Sequence, residues 1–161
     1  MKGNKKVAKH LQLLLNNELA ARDQYFAHSR KYRDWGLNAL YERINHEMEE
    51  ETEHADKLIE RMMFLETEPD LSAKEKVNVG KDVQKMLKND LEVEYEVAEA
   101  LKKAIKVCEE EQDYDTRLIL IQLLDDTEMD HAYWLEKQLR LIDTIGLKNY
   151  MQSQMGSEDS R

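Results

Sequence analysis

Residues 40–65 read LYERINHEMEEETEHADKLIERMMFL. Leu40, Ile44, Leu58, Met62 and Leu65 fall at combined steps of three and four along one face, the period of an amphipathic helix. Glu51 and His54 occupy inward steps of that stripe, where an apolar side chain is expected. A helix this long with an apolar seam must bury it against others, so the flanking sequence should supply partners.

It does. A first stripe runs through Leu11, Leu14, Ala21, Tyr25 and Tyr32, a third through Leu87, Leu91, Ala98, Leu101, Ile105 and Cys108, and a fourth through Ile121, Leu124, Leu135 and Ile142. Gly36 suits the left-handed stop of the first helix, Asn38 can cap the second, and Glu68-Pro69-Asp70 breaks it. Asp82 and Asp113 cap the third and fourth, and Gly146 ends the fourth. The expected helices are about 5–35, 39–65, 83–111, 114–145 and 147–154, an all-α four-helix bundle with a short fifth helix. Residues 66–81 exceed the roughly two to eight that join bundle neighbours, so they are expected to run back along the bundle as a crossover.

Composition agrees. A chain of 161 residues fits one domain, and one proline with five glycines disfavours a turn-rich β fold. The net charge of −10 is the wrong sign for phosphate backbones or anionic lipid, so neither nucleic acid nor membrane is an expected partner, and cations are. The apolar run Leu118–Leu124 is far shorter than the roughly 20 residues a bilayer requires. A single cysteine, Cys108, and a start, MKGNKK, that leads into an amphipathic segment point to the cytoplasm.

The gaps in the stripes carry the chemistry. Glu18, Glu51, His54, Glu94, Glu128 and His131 all take inward steps, at least one on each helix. Counted from the two hairpin turns, at about 1.5 Å per residue, they lie level within a few ångströms. The pattern of Glu, turn, Glu-x-x-His occurs twice, with Glu-to-Glu separations of 33 and 34 residues. Taken singly, a seam Glu can reach water and a His is more often a satisfied core residue. Taken together, four buried carboxylates demand positive charge, and two divalent cations supply it. Oxygen-rich ligands with one imidazole per ion suit iron or manganese, with zinc as competitor.

With Glu51-Thr52-Glu53-His54 and Glu128-Met129-Asp130-His131 in place, the sequence resembles the bacterioferritins over nearly its whole length, including NELAARDQYFAHSR, INHEMEEETEHAD and the terminal GLKNYMQSQ. The resemblance implies a ferritin-like bundle in a hollow shell of 24 subunits, a ferroxidase oxidising two Fe(II) per chain with dioxygen or peroxide, and a ferric mineral stored inside. Glu18 and Glu94 match the family's terminal carboxylates, Glu51 and Glu128 the bridging ones, and His54 and His131 the imidazole ligands. Tyr25 resembles an electron-supplying tyrosine and reads equally as a packed core aromatic. His46 and Glu50 resemble an inner-surface iron site, against a solvated acidic face, and Glu47 falls inward, where it would guide iron. Thr52 stands where haem-binding members carry their methionine; Met48 and Met129 are not that position. The homomer is therefore expected to bind little or no haem, with haem confined to shells mixed with a haem-binding bacterioferritin subunit. The missing ligand also weakens the case for a ferredoxin reductant. The rivals are a structural subunit that co-assembles with catalytic partners and a rubrerythrin-like di-iron peroxidase, which one cysteine and this length disfavour. Cys108, on an inward stripe, reads as a small buried hydrophobe.

Overall fold

The structure, a computed structural model, describes residues 1–73 and 75–156. Its elements are α1 (Lys5–Asp34), α2 (Asn38–Phe64), α3 (Val83–Glu110), α4 (Tyr114–Asp125), a π-helical segment (Asp126–Ala132), α5 (Tyr133–Ile145) and α6 (Leu147–Ser153). Helices α1 and α2 form one antiparallel hairpin, and α3 forms the other with the rod made by α4, the π segment and α5. The two hairpins pack into the expected four-helix bundle.

The caps show why the helices start and stop there. Asn4 accepts from the Lys6 and Val7 amides, Asp82 from Lys85 and Asp113 from Thr116, each quenching amides that have no partner inside the helix. Gly36, at φ +76°, closes α1, and the Leu37 amide reaches back to the Tyr32 carbonyl. Two expectations change. Asn38 begins α2 inside the helix and caps nothing; Leu37 holds the cap position, and the Ala39 amide donates instead to the carbonyl of Gln154, just beyond α6. Helix α2 stops before Pro69, at Glu66, which adopts φ +56° while the Thr67 amide bonds the Met62 carbonyl.

The segment after α2 crosses along α1. Gln12 exchanges hydrogen bonds with the backbone of Asp70, the Asn78 amide donates to Gln24, and the Gly80 amide donates to His28. From residue 12 to residue 28 the attachment spans about 24 Å of helix. Its far end is pinned by a buried network in which Asp90 accepts from Gln24 at 2.7 Å and faces His28 Nδ1 at 2.8 Å.

The larger correction lies in the fourth rod. The sequence reading phases Ile121 and Leu124 inward, yet Ile121 is 36% exposed, and Leu120 and Leu123 are the fully buried residues. A π-helical turn holds more residues than an α turn, so the seven-residue segment absorbs about one extra residue and shifts everything N-terminal to it by one position. Leu135 and Ile142, beyond the segment, point inward as expected. The sequence could not reveal the shift, because Leu118 to Leu124 is apolar on every face but Gln122.

The core falls into two apolar clusters. One holds Leu11, Leu15, Leu58, Met62, Leu101, Cys108, Leu120 and Leu123; the other holds Tyr25, Tyr32, Ile44, Met86, Leu87, Leu135 and Tyr150. Burial among aliphatic neighbours pushes the Cys108 thiol up to about 11, as a packed rather than reactive cysteine requires. A belt of buried charge separates the clusters.

Candidate metal centre

Each main helix brings a polar side chain into that belt, because its apolar stripe is interrupted at the same level. Glu18 from α1, Glu51 and His54 from α2, Glu94 from α3 and His131 from the π segment are all at most 2% exposed. Glu51 is the hub. One of its oxygens lies 3.0 Å from His131 Nδ1 and the other 3.4 Å from His54 Nδ1. Glu18 lies 3.6 Å from His54 Nδ1, and Glu94 lies 3.4 Å from His131 Nδ1. The imidazoles stack with centroids 5.8 Å apart and planes 17° from parallel. The result is two overlapping triads, Glu18–Glu51–His54 and Glu51–Glu94–His131, whose ligand atoms lie within 4.8 Å of one another in each.

The electrostatics are those of a site short of positive charge. Burial first, then the neighbouring Glu51, raises the Glu18 carboxyl well above the usual range. Burial likewise lifts Glu94 to about 7 against the pull of His131. Glu51 stays low despite its burial, held by the closeness of Glu18 and of both imidazoles. Burial opposes the charged imidazole, yet Glu18 and Glu51 raise His54 to about 11, and Glu94 with the surrounding glutamates raises His131 well above the ordinary range. Both oxygens of Glu18, one of Glu51 and the Nδ1 atoms of both histidines have no hydrogen-bond partner. Buried polar atoms are rarely left so. Five such atoms converging from three residues on α1 and α2 and one on the π segment are what a multivalent cation would satisfy.

Glu128 is not brought in. It is 42% exposed at the side chain and pairs with Lys102 at 2.7 Å. Over a π turn three residues sweep less of the circle than over an α turn, so Glu128 and His131 diverge, and Thr127, 1% exposed, takes the inward place. Asp126, which the sequence did not single out, lies 3.1 Å from His54 Nε2.

A ferritin-like domain model matches residues 8–145. A bacterial ferritin from Synechocystis is 61% identical over 155 residues, covering 96% of this chain and 99% of that one. One from Neisseria meningitidis is 56% identical over 96% of this chain and all of its own length. A bacterioferritin from Brucella melitensis is 38% identical, covering 94% of both chains. This chain belongs to the ferritin-like family. Membership supports iron storage as its role, and the charged belt lies where the two hairpins of the ferritin-like bundle meet.

The remaining sequence candidates fall around this centre. Tyr25, 1% exposed, donates a short hydrogen bond to Glu94, and burial ahead of that carboxylate keeps its phenol well above the usual value. His46 is exposed and lies 3.0 Å from Glu50, which reaches His131 Nε2 at 2.7 Å; hydrogen bonding to that imidazole, against the opposing effect of partial burial, holds Glu50 down at about 2. Glu47, 2% exposed, also lies 2.7 Å from His131 Nε2. Thr52 sits on the exposed face of α2 and donates to the Met48 carbonyl. Among the described residues no helix is long and apolar enough to cross a membrane.

Proposed function

We propose that this chain is an iron-storage subunit whose centre takes two Fe(II) as substrate and oxidises them with dioxygen or peroxide, the ferric product accumulating as mineral inside a shell of 24 subunits. Glu18 and His54 hold one ion, Glu94 and His131 the other, and Glu51 bridges. Glu128 joins as the sixth ligand when it leaves Lys102. Each ion gives one electron, and the pair reduces dioxygen to the peroxide level or peroxide to water. Tyr25, through Glu94, is the nearest source of a further electron. His46 and Glu50 pass iron between the centre and the mineral. Thr52 leaves the homomeric shell without its own haem ligand, so haem enters only with a haem-binding partner subunit.

The observation that carries this reading is the set of buried, unpartnered ligand atoms of Glu18, Glu51, His54 and His131 between two apolar core clusters. Tyr114, Leu118 and Ile121, exposed on one face of α4, support burial against another subunit. The test is anaerobic titration of the metal-free protein with Fe(II), then addition of dioxygen, following ferric absorbance beside a Glu18→Ala control. A fast phase saturating at two irons per chain and lost in the control is expected. Glu128's outward position favours a second reading, a structural subunit that binds metal without turning it over. Oxidation no faster than in buffer would establish that one instead.

A further inference from the structure

Each histidine of the centre has two ring nitrogens, and the two are used differently. In both, Nδ1 faces the shared carboxylates, while Nε2 faces a carboxylate outside the triads. For His54 that outer partner is Asp126 alone, at 3.1 Å and with a side chain 48% exposed. For His131 there are two, Glu47 and Glu50, each at 2.7 Å, with side chains 2% and 27% exposed. Glu47 is itself held: Arg43 Nε lies 2.5 Å from it, the Arg43 Nη2 reaches Asp130 at 2.8 Å, and the guanidinium rests 4.8 Å from the centroid of the Trp134 ring. Among the described residues no comparable layer stands behind Asp126.

Glu47, Glu50, Asp130 and His131 come close enough together to suggest a further cation site. Arg43 already supplies the positive charge there, against both Glu47 and Asp130, and a second cation would have to displace it. The outer carboxylates therefore serve the imidazole. A metal-bound histidine whose other N–H is held by a carboxylate keeps one tautomer and one ring orientation, and is the more basic ligand for it.

We propose that Glu47 and Glu50 are positioning residues for His131, that Asp126 is the corresponding residue for His54, and that this inequality makes the His131 half of the centre bind a divalent cation more tightly than the His54 half. The proposal rests on the centre being a two-metal site. Its two halves each have one imidazole, one terminal carboxylate and a share of Glu51, so their ligand sets are alike. What differs is the support. His131 has two carboxylates at Nε2, Glu50 hydrogen-bonded to it and the buried Glu47 beside Arg43, whereas His54 leans on one group that water also reaches. The tighter half fills first, and the looser half gives up its ion first.

The test is a titration of the metal-free, assembled protein with Co(II), read by visible ligand-field absorption and by equilibrium dialysis. Two classes of site, one ion each per chain and separated in affinity, are expected. Glu47→Gln/Glu50→Gln should weaken the tighter class by about tenfold or more, shift its absorption bands and leave the weaker class as it was. Asp126→Asn should do the reverse, and Glu50→Asp, which keeps the carboxylate, should retain the wild-type order. Circular dichroism confirms that each variant is folded; should the double variant not fold, Glu50→Gln alone, at a partly exposed position, carries the test. If two ions bind but the double variant binds them as the wild type does, or loses both classes equally, the positioning role is overturned. If the wild type fails to bind two Co(II) per chain, the two-metal reading itself falls.

Discussion

Lys102 Nζ lies 2.7 Å from Glu128 Oε1, on the outside of the bundle. The pair records the π segment's effect on register: His131 and Leu135 point inward, and the residue three before His131 points out. Deleting Asp125, which is exposed, would remove the extra residue and let α4 run into α5 as one α-helix. Leu123 and Leu120 then lie seven and ten residues before His131 and stay inward, while Glu128 comes onto the face of His131. The deletion variant is expected to bind Co(II) or Zn(II) severalfold more tightly than the wild type, and Glu128→Ala should erase that gain and cost less in the unshifted chain, where Glu128 must first leave Lys102. Dialysis against either ion measures both.

A second prediction concerns the metal-free protein. Burial and the charge of Glu51 raise the Glu18 carboxyl, so its ionised form opposes folding. A group with a raised native value contributes stability below its unfolded value near 4.3 and loses it as pH rises through the native one. Glu18→Gln removes that penalty. The metal-free variant should melt a few degrees above the wild type at pH 7, with the gap closing at acidic pH, while it binds one divalent ion fewer per chain. Differential scanning calorimetry with and without Zn(II) would show the two effects in opposite directions, as expected where function is held at a cost in stability.

The crossover depends on one histidine. The Gly80 amide donates to His28 Nε2, so that nitrogen is bare and the proton sits on Nδ1, 2.8 Å from Asp90. Burial raises Asp90, and His28 with Gln24 opposes the rise. His28→Leu would leave the buried Gly80 amide without its acceptor and the buried Asp90 carboxylate with Gln24 as its remaining donor, at a cost of about 2–3 kcal/mol. Urea unfolding should show that loss. Limited proteolysis should cut between residues 66 and 80 faster than in the wild type, because the anchored end of the crossover is released.

Much of this was legible in the sequence. Three of the four stripes phase correctly because each alternates apolar and polar residues sharply enough to fix one face, and Glu18, Glu51, His54 and Glu94 stand out as charges inside them. His28 and Asp90 carried the same signal: His28 falls between Tyr25 and Tyr32, and Asp90 between Leu87 and Glu94, at steps of three and four. The π segment left no such trace. Its N-terminal neighbour is apolar all round, so either phase buries leucines, and an α-helical count places Glu128 inward by default. Asp126 was hidden for a related reason, since in the run DDTEMD only the register tells which acid faces His54.

The hinge between α3 and α4 offers a pH-dependent test. Asp113 accepts from the Thr116 amide at 3.1 Å, from the Thr116 hydroxyl at 2.7 Å and from Arg61 at 3.0 Å, tying the start of α4 to the end of α2. Partial burial works against the charge, but these donors hold the carboxyl below its usual value. A depressed native value means the contribution is present above the unfolded value near 3.9 and is lost as pH falls through the native one. Asp113→Ala should therefore destabilise the chain by about 1–2 kcal/mol at pH 7 and by progressively less below about pH 4. Asp113→Asn keeps an acceptor for the Thr116 amide and gives up only the charge, so it should lose less and show little of that pH dependence. Denaturant melts of the three proteins at pH 7 and near pH 3.5 separate the cap from the ion pair: equal losses for Ala and Asn would assign the effect to Arg61 alone.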